Sequence, residues 1–173
     1  MAKLHDIVPC LWFEDQAEEA AQYYIGIFKA GKVTKILRYS EVGQETHHRP
    51  PGSVLTVEFE LNGRTFTALN GGPEFKFNEA VSLQVICKDQ KEVDYYWEKL
   101  GAGGDPSARV CGWLKDKYGL SWQIIPEEMF KLLEDQTKEN GKRAMAAMMK
   151  MKKLDLAALE AAYDGKVPAD VGA

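Results

Sequence analysis

Two stretches decide the fold of this chain: FEDQAEEAAQYY at residues 13–24 and CKDQKEVDYYWEKL at residues 87–100. Each carries Asp-Gln-x-Glu, at Asp15 to Glu18 and at Asp89 to Glu92, and each has a tyrosine pair further on, Tyr23-Tyr24 and Tyr95-Tyr96. A short apolar run precedes both, IVPCLWF from Ile7 and AVSLQVIC from Ala80, which reads as a strand. Helical spacing follows, with Ala17, Ala20, Ala21, Tyr24, Ile27 and Phe28 on one face of the first copy and Val93, Tyr96, Trp97 and Leu100 on one face of the second. The same grammar twice predicts a duplicated unit. In the first copy Asp15 is expected to cap the helix by accepting from the backbone of Glu18, whose carboxylate reaches back. Gly31 and Gly101 are the expected helix stops.

Strands are expected after each helix. In the first copy VTKILRYS (33–40) leads through a polar loop, GQETHHRPPG, to VLTVEFEL and RTFTALN, joined by Asn62-Gly63, a pair suited to a two-residue type I′ turn. That turn sets Val57 opposite Ala68 and Phe59 opposite Phe66, with Leu55 and Asn70 completing a mostly apolar face; Glu58, Glu60, Thr65 and Thr67 face solvent. In the second copy RVCGWLK and LSWQIIP flank the turn Asp116-Lys117-Tyr118-Gly119. Read as a four-residue turn, it places Trp113 across from Trp122 and makes Asp116 a turn former. Each module is then β-α followed by antiparallel strands.

Beyond Pro126 no strand pattern remains, and residues 127–165 read as two or three helices with Gly141 and Gly165 as interruptions or stops. Met145, Met148, Met149 and Met151 are expected in core or dimer packing, since methionine fills irregular gaps; a flexible groove for a partner is the alternative.

Length and charge exclude several classes. The 173 residues are 45% hydrophobic and 28% charged, as in a globular domain. Twenty-two Lys and Arg against 26 Asp and Glu give 22 − 26 = −4, so there is no basic field for nucleic acid. Apolar runs fall short of the roughly 20 residues that span a bilayer, and MAKLHDIVPC lacks the features of a signal peptide, so no membrane association and a cytoplasmic address are expected. Cys10, Cys87 and Cys111, widely spaced and without CxxC, suit reduced buried thiols.

With FEDQAEEAAQYY, ALNGG, SLQVICKDQKEVDYYWEKL and CGWLKDKYGLSWQIIP in place, the chain from Ile7 to Pro126 resembles the PhnB-like family of the vicinal oxygen chelate superfamily, which includes glyoxalase I, extradiol dioxygenases and bleomycin-binding proteins. The Met-rich tail is also similar to the tail of that family. The resemblance implies an α+β fold of two tandem β-α-β-β-β modules, about 5–73 and 79–126, whose curved mixed sheets form a half-barrel around a pocket within a domain spanning 1–126. A helical extension, 127–173, follows, and homodimers are common in the superfamily.

The family is often labelled 3-demethylubiquinone-9 3-methyltransferase-like. A methyltransferase holds S-adenosylmethionine, usually at a glycine-rich turn after a strand. Gly101-Ala102-Gly103-Gly104 follows a helix instead, so no such cofactor is expected. The superfamily's usual metal is held by His and Glu side chains, two from each module; module register carries these positions onto Val8, Ala68, Ser82 and Gln123, none a strong ligand. Neither a metal nor another cofactor is therefore expected. His47-His48 reads as a solvated loop, His5-Asp6 as a frayed end, and Cys111 as inert in a strand without a His partner.

The remaining expectation is a ligand cup with no assigned catalytic residue. If the hairpin face points inward, its lining is Cys10, Trp12, Val57, Phe59, Ala68, Asn70, Ser82, Gln84 and Gln123, joined by Val8, Phe66, Ile86 and Ile125, with Trp113 and Trp122 on the far side. Apolar walls with sparse amides suit a small, mostly apolar ligand. A closed barrel whose residues satisfy one another is the alternative. The leading functional reading is a small-ligand-binding protein; the others are a metal-dependent isomerase, lyase or dioxygenase with displaced ligands, and a drug-sequestering dimer.

Overall fold

The computed structural model describes residues 7–166. The chain divides between Phe77 and Asn78 into two compact units, each built around its own mixed sheet.

The first unit runs β1 (Cys10–Phe13), α1 (Ala17–Phe28), β2 (Gly31–Arg38), a short α2 (Gln44–His47), β3 (Val54–Leu61) and β4 (Arg64–Asn70). Its sheet order is β1-β4-β3-β2, with β1 parallel to β4 and the other pairs antiparallel. Asn62 and Gly63 at φ 46° and 76° form the expected turn, and Val57 pairs with Ala68 and Phe59 with Phe66. Ala17, Ala20 and Ala21 are fully buried, so α1 approaches the sheet closely, and Tyr24 lies over Phe59 with ring centroids 6.3 Å apart. An amphipathic helix beside an apolar sheet face buries both, at about 25 cal/mol per Å² of apolar surface.

Two local expectations are corrected here. Gln16, not Asp15, occupies the N-cap of α1, and no side chain of that position satisfies the helix; instead Asn70 Oδ1 accepts from the Ala17 N–H at 2.8 Å. The helix ends at Phe28 with Lys29 in the left-handed region, so Gly31 is not its stop. Gly31 opens β2, where a Cβ would stand 2.3 Å from the Glu60 carbonyl oxygen; the close strand approach requires glycine.

The second unit runs β5 (Ser82–Cys87), α3 (Gln90–Gly101), a 3₁₀ turn (Pro106–Ala108), β6 (Trp113–Lys115) and β7 (Ser121–Pro126), with sheet order β5-β7-β6. Here the repeated motif makes the reciprocal cap that was expected of Asp15 in the first copy: Asp89 Oδ1 accepts from the Glu92 N–H at 3.0 Å, and Glu92 Oε2 accepts from the Lys88 N–H at 3.0 Å. The second copy is one strand shorter than the first. Where β2 would lie, Gly103, Gly104 and Pro106 turn the chain, and a Cβ on Gly104 would collide with the Lys115 carbonyl oxygen. Cys111 and Gly112 adopt φ of 48° and 83°, so Cys111 sits in a bend and not in a strand.

The β6–β7 register differs by one residue from that expected. Asp116 closes the turn on Leu120, accepting from the Tyr118 and Leu120 N–H groups, and Trp113 pairs with Gln123 while Leu114 pairs with Trp122. Because side chains alternate along a strand, this slip puts the two tryptophans on opposite faces. Trp122 is buried beside Leu114, its Nε1 donating to Asp116 Oδ2 at 2.8 Å.

Three C-terminal helices, α4 (Glu128–Leu132), α5 (Glu139–Met148) and α6 (Leu156–Tyr163), belong to this second unit. Leu132, Ala144, Met151, Leu154 and Leu159 form their core, with Met148 packed against it and Met149 exposed. Gly141 lies inside α5, where a Cβ would meet the Asp135 carbonyl oxygen at 2.2 Å; only Gly165, at φ 72°, follows a helix end. Gln90 ties the tail to α3, donating to the Leu154 carbonyl at 3.1 Å and accepting from the Leu156 N–H at 2.8 Å. No helix among the described residues is long and apolar enough to cross a membrane.

Candidate functional site

In the first unit the structure divides the expected lining between the two faces of one sheet. Val57, Phe59, Phe66, Ala68 and Asn70 lie on the face covered by α1, and Val57, Phe59 and Ala68 have no exposed surface. Cys10 and Trp12 lie on the other face, because β1 pairs with β4 in the register Cys10 to Thr67 and Trp12 to Leu69. The shared inward face expected for these residues is thus corrected: α1 needs an apolar partner and takes the hairpin side. The open face carries Cys10, Trp12, Thr67 and Leu69. Trp12 donates from Nε1 to the Gly72 carbonyl at 2.9 Å and meets Phe75 edge-on, with centroids 4.8 Å apart.

In the second unit the expected residues do come together. Parallel pairing sets Ser82 beside Ser121, Gln84 beside Gln123 and Ile86 beside Ile125 on the face opposite Val85, Leu114, Trp122 and Ile124. Gln84 Nε2 donates to Gln123 Oε1 at 3.3 Å, and Gln123 Nε2 donates to Ser82 Oγ at 2.8 Å. The antiparallel neighbours add Lys115 beside Ser121 and Trp113 beside Gln123. Sequence reasoning missed Lys115 and Trp113 on this face because of the one-residue slip in the hairpin, whereas Ser121 follows from alternation with Gln123 along β7. The carboxylate of Asp116 carried the missing signal, since it can hold a tighter loop closed.

Other candidates have structural partners. The His47 ring lies 4.4 Å from that of Tyr39, and its Nδ1 accepts from the Arg49 N–H at 3.0 Å, so it anchors its loop and is not simply solvated. His5 and Asp6 lie outside the described residues. Cys87 is fully buried, and burial, with Glu92 and Asp89 nearby, pushes its thiol up to about 12. Cys10 is exposed, which corrects its expected place in the packing. Arg109 and Lys115, the cations nearest Cys111 in sequence, are engaged elsewhere: Arg109 donates to the Gly101 carbonyl at 2.7 Å, and Lys115 pairs with Glu79 at 2.5 Å.

The superfamily's divalent ion needs anionic or imidazole donors. At the corresponding positions stand Val8, Ser82, Gln123 and, by the observed register, Thr67 in place of Ala68, which faces α1. Neutral hydroxyls and an amide do not fit that ion. Among the described residues no group of three or more His, Cys, Asp and Glu side chains could hold a metal. The Gly101 to Gly104 segment leaves a helix and enters a 3₁₀ turn, so it does not form the strand-to-helix cradle of a dinucleotide-type cofactor.

The chain is thus a duplicated strand-helix-sheet protein of mixed α+β class. The family model described as 3-demethylubiquinone-9 3-methyltransferase matches residues 5–125, ahead of the C-terminal helices. The PhnB protein from Bacillus cereus is 34% identical, over 70% of this chain and 99% of its own, with a TM-score of 0.59. A Pseudomonas aeruginosa protein shares the fold at 17% identity, over 72% of this chain and 98% of its own, with a TM-score of 0.54. No curated protein matches. The chain belongs to this PhnB-like family and, through it, to the vicinal oxygen chelate superfamily.

Proposed function

We propose that this protein binds a small, mostly apolar ligand on the open sheet face of the second unit, without a metal at the superfamily's usual position. The observation that carries this reading is the row Gln84, Gln123 and Trp113, an amide pair and an indole side by side, with Gln84 exposed and Gln123 and Trp113 half-buried. Such a face offers apolar contact with a few directional groups, the composition of a small-molecule site. Cys10, Trp12, Thr67 and Leu69 are the matching positions of the first copy. Val57, Phe59, Ala68 and Asn70 support the site only by holding the sheet on α1. The family's methyltransferase description enters no step, because the Gly101 to Gly104 segment follows a helix and not a strand.

A homodimer in the cytoplasm is part of the proposal, in keeping with the habit of the superfamily, and light scattering tests the dimer. A thermal-shift screen of the purified protein against aromatic and branched aliphatic compounds tests binding: a ligand at a hundred times its Kd stabilises by about 2.7 kcal/mol. A hit whose shift disappears in Gln123→Leu supports the reading. Stoichiometric Zn, Ni, Fe or Mn in the purified protein would overturn it.

A further inference from the structure

The open face of the second unit is graded along the strands. One row across β5, β7 and β6 is Ser82, Ser121, Lys115; the next is Gln84, Gln123, Trp113; beyond it lies the exposed Ile86, with Ile125 buried beside it. Donors therefore crowd one end, and Trp113 and Ile86 give the other its apolar surface. Ser121 is 1% exposed, and its hydroxyl has no hydrogen-bond partner. A buried hydroxyl is ordinarily satisfied, so one left without a partner between a serine and a lysine marks a place for an incoming acceptor. Ser82 Oγ already accepts from Gln123, which leaves its own O–H free to donate. The Lys115 side chain is only 21% exposed while Glu79, its carboxylate partner, is 61% exposed. The ammonium is the inner member of that pair, and it has three N–H donors for one carboxylate.

We propose that the ligand is a small carboxylic acid with an aromatic or branched body, its carboxylate received by Ser82, Ser121 and Lys115 and its body laid along Trp113 and Ile86. This rests on the small-ligand reading above and names the chemical class. Glu79 then competes with the ligand for Lys115.

The test uses 3-phenylpropionate and its neutral isostere 3-phenylpropionamide in calorimetric titrations of the full chain. The expected result is that the acid binds at least tenfold more tightly than the amide, that Lys115→Met and Ser121→Ala each abolish the preference, and that Glu79→Gln enlarges it. Thermal melts of the variants establish that they fold, and removing an unpartnered hydroxyl in Ser121→Ala is compatible with folding. Equal binding of acid and amide, or a preference that survives in Lys115→Met, overturns the inference while leaving small-ligand binding in place. Binding of neither probe also overturns it; small-ligand binding itself falls only if the broad thermal screen is empty too.

Discussion

Asn70, the last residue of β4, holds the first amide of α1: its Oδ1 accepts from the Ala17 N–H at 2.8 Å across 53 positions of sequence, and its Nδ2 donates to the Val54 carbonyl at 3.1 Å. One buried side chain thereby fixes the helix start against two strands. Asn70→Ala leaves those groups unpartnered in the interior, and the expected cost is about 2 kcal/mol in urea unfolding. Asp15→Ala should change stability by less than about 0.5 kcal/mol, as an exposed residue outside the cap. Equal costs would show that the cap has been misassigned.

Two glycines of neighbouring elements should respond with opposite sign. Gly26 lies in the last turn of α1 with open space where a Cβ would go, so Gly26→Ala should stabilise by roughly 0.5–1 kcal/mol through helix propensity and a less flexible unfolded chain. Gly31→Ala drives a methyl against the Glu60 carbonyl and must open the β2–β3 pairing, at roughly 1–3 kcal/mol. Thermal melts of the two variants decide the matter.

Gln90 governs the tail. In Gln90→Ala the Leu156 N–H and the Leu154 carbonyl both lose their partner. Limited proteolysis between Met149 and Leu156 should then speed up several-fold while sites in the first unit are cut at the original rate. Unchanged cleavage would mean that the apolar cluster around Leu154 and Leu159 alone holds the helices.

Thiol chemistry should separate the cysteines. Cys10 is exposed and should react first with Ellman's reagent at pH 8, whereas Cys87 should react only on unfolding. The linkage sign follows: Cys87 keeps its proton in the folded state up to about 12, above the ordinary thiol value of 9.0, so its contribution to stability is intact below pH 9 and is lost as pH climbs towards 12. Cys87→Ala should therefore flatten the alkaline limb of the stability curve. Burial also raises the Tyr96 phenol, which acts in the same direction, so Tyr96→Phe is the companion measurement.

Much of the local structure was legible from residue order. The paired Asp-Gln-x-Glu motifs, the Asn62-Gly63 turn with its Val57 to Ala68 register, and the apolar stripe of α1 are written in short-range spacing, which elementary sterics and periodicity translate directly. The candidate site was legible only by halves. Ser82, Gln84 and Gln123 meet on one face as alternation predicts, but Cys10 and Trp12 are separated from Val57 and Phe59 by the thickness of a sheet.

The chain by itself determined the duplicated strand-helix units, the first hairpin, and the alternation that sets Ser82, Gln84 and Gln123 on one face. These are local or compositional properties. Tertiary structure decided which side of the first sheet α1 would cover, that Asn70 and not Asp15 would begin that helix, and that Asp116 would close its hairpin one residue tighter and turn Trp113 and Lys115 onto the open face. Strand alternation states only that two faces exist; the partner that buries one of them, and the register that assigns residues to each, depend on groups far away along the chain.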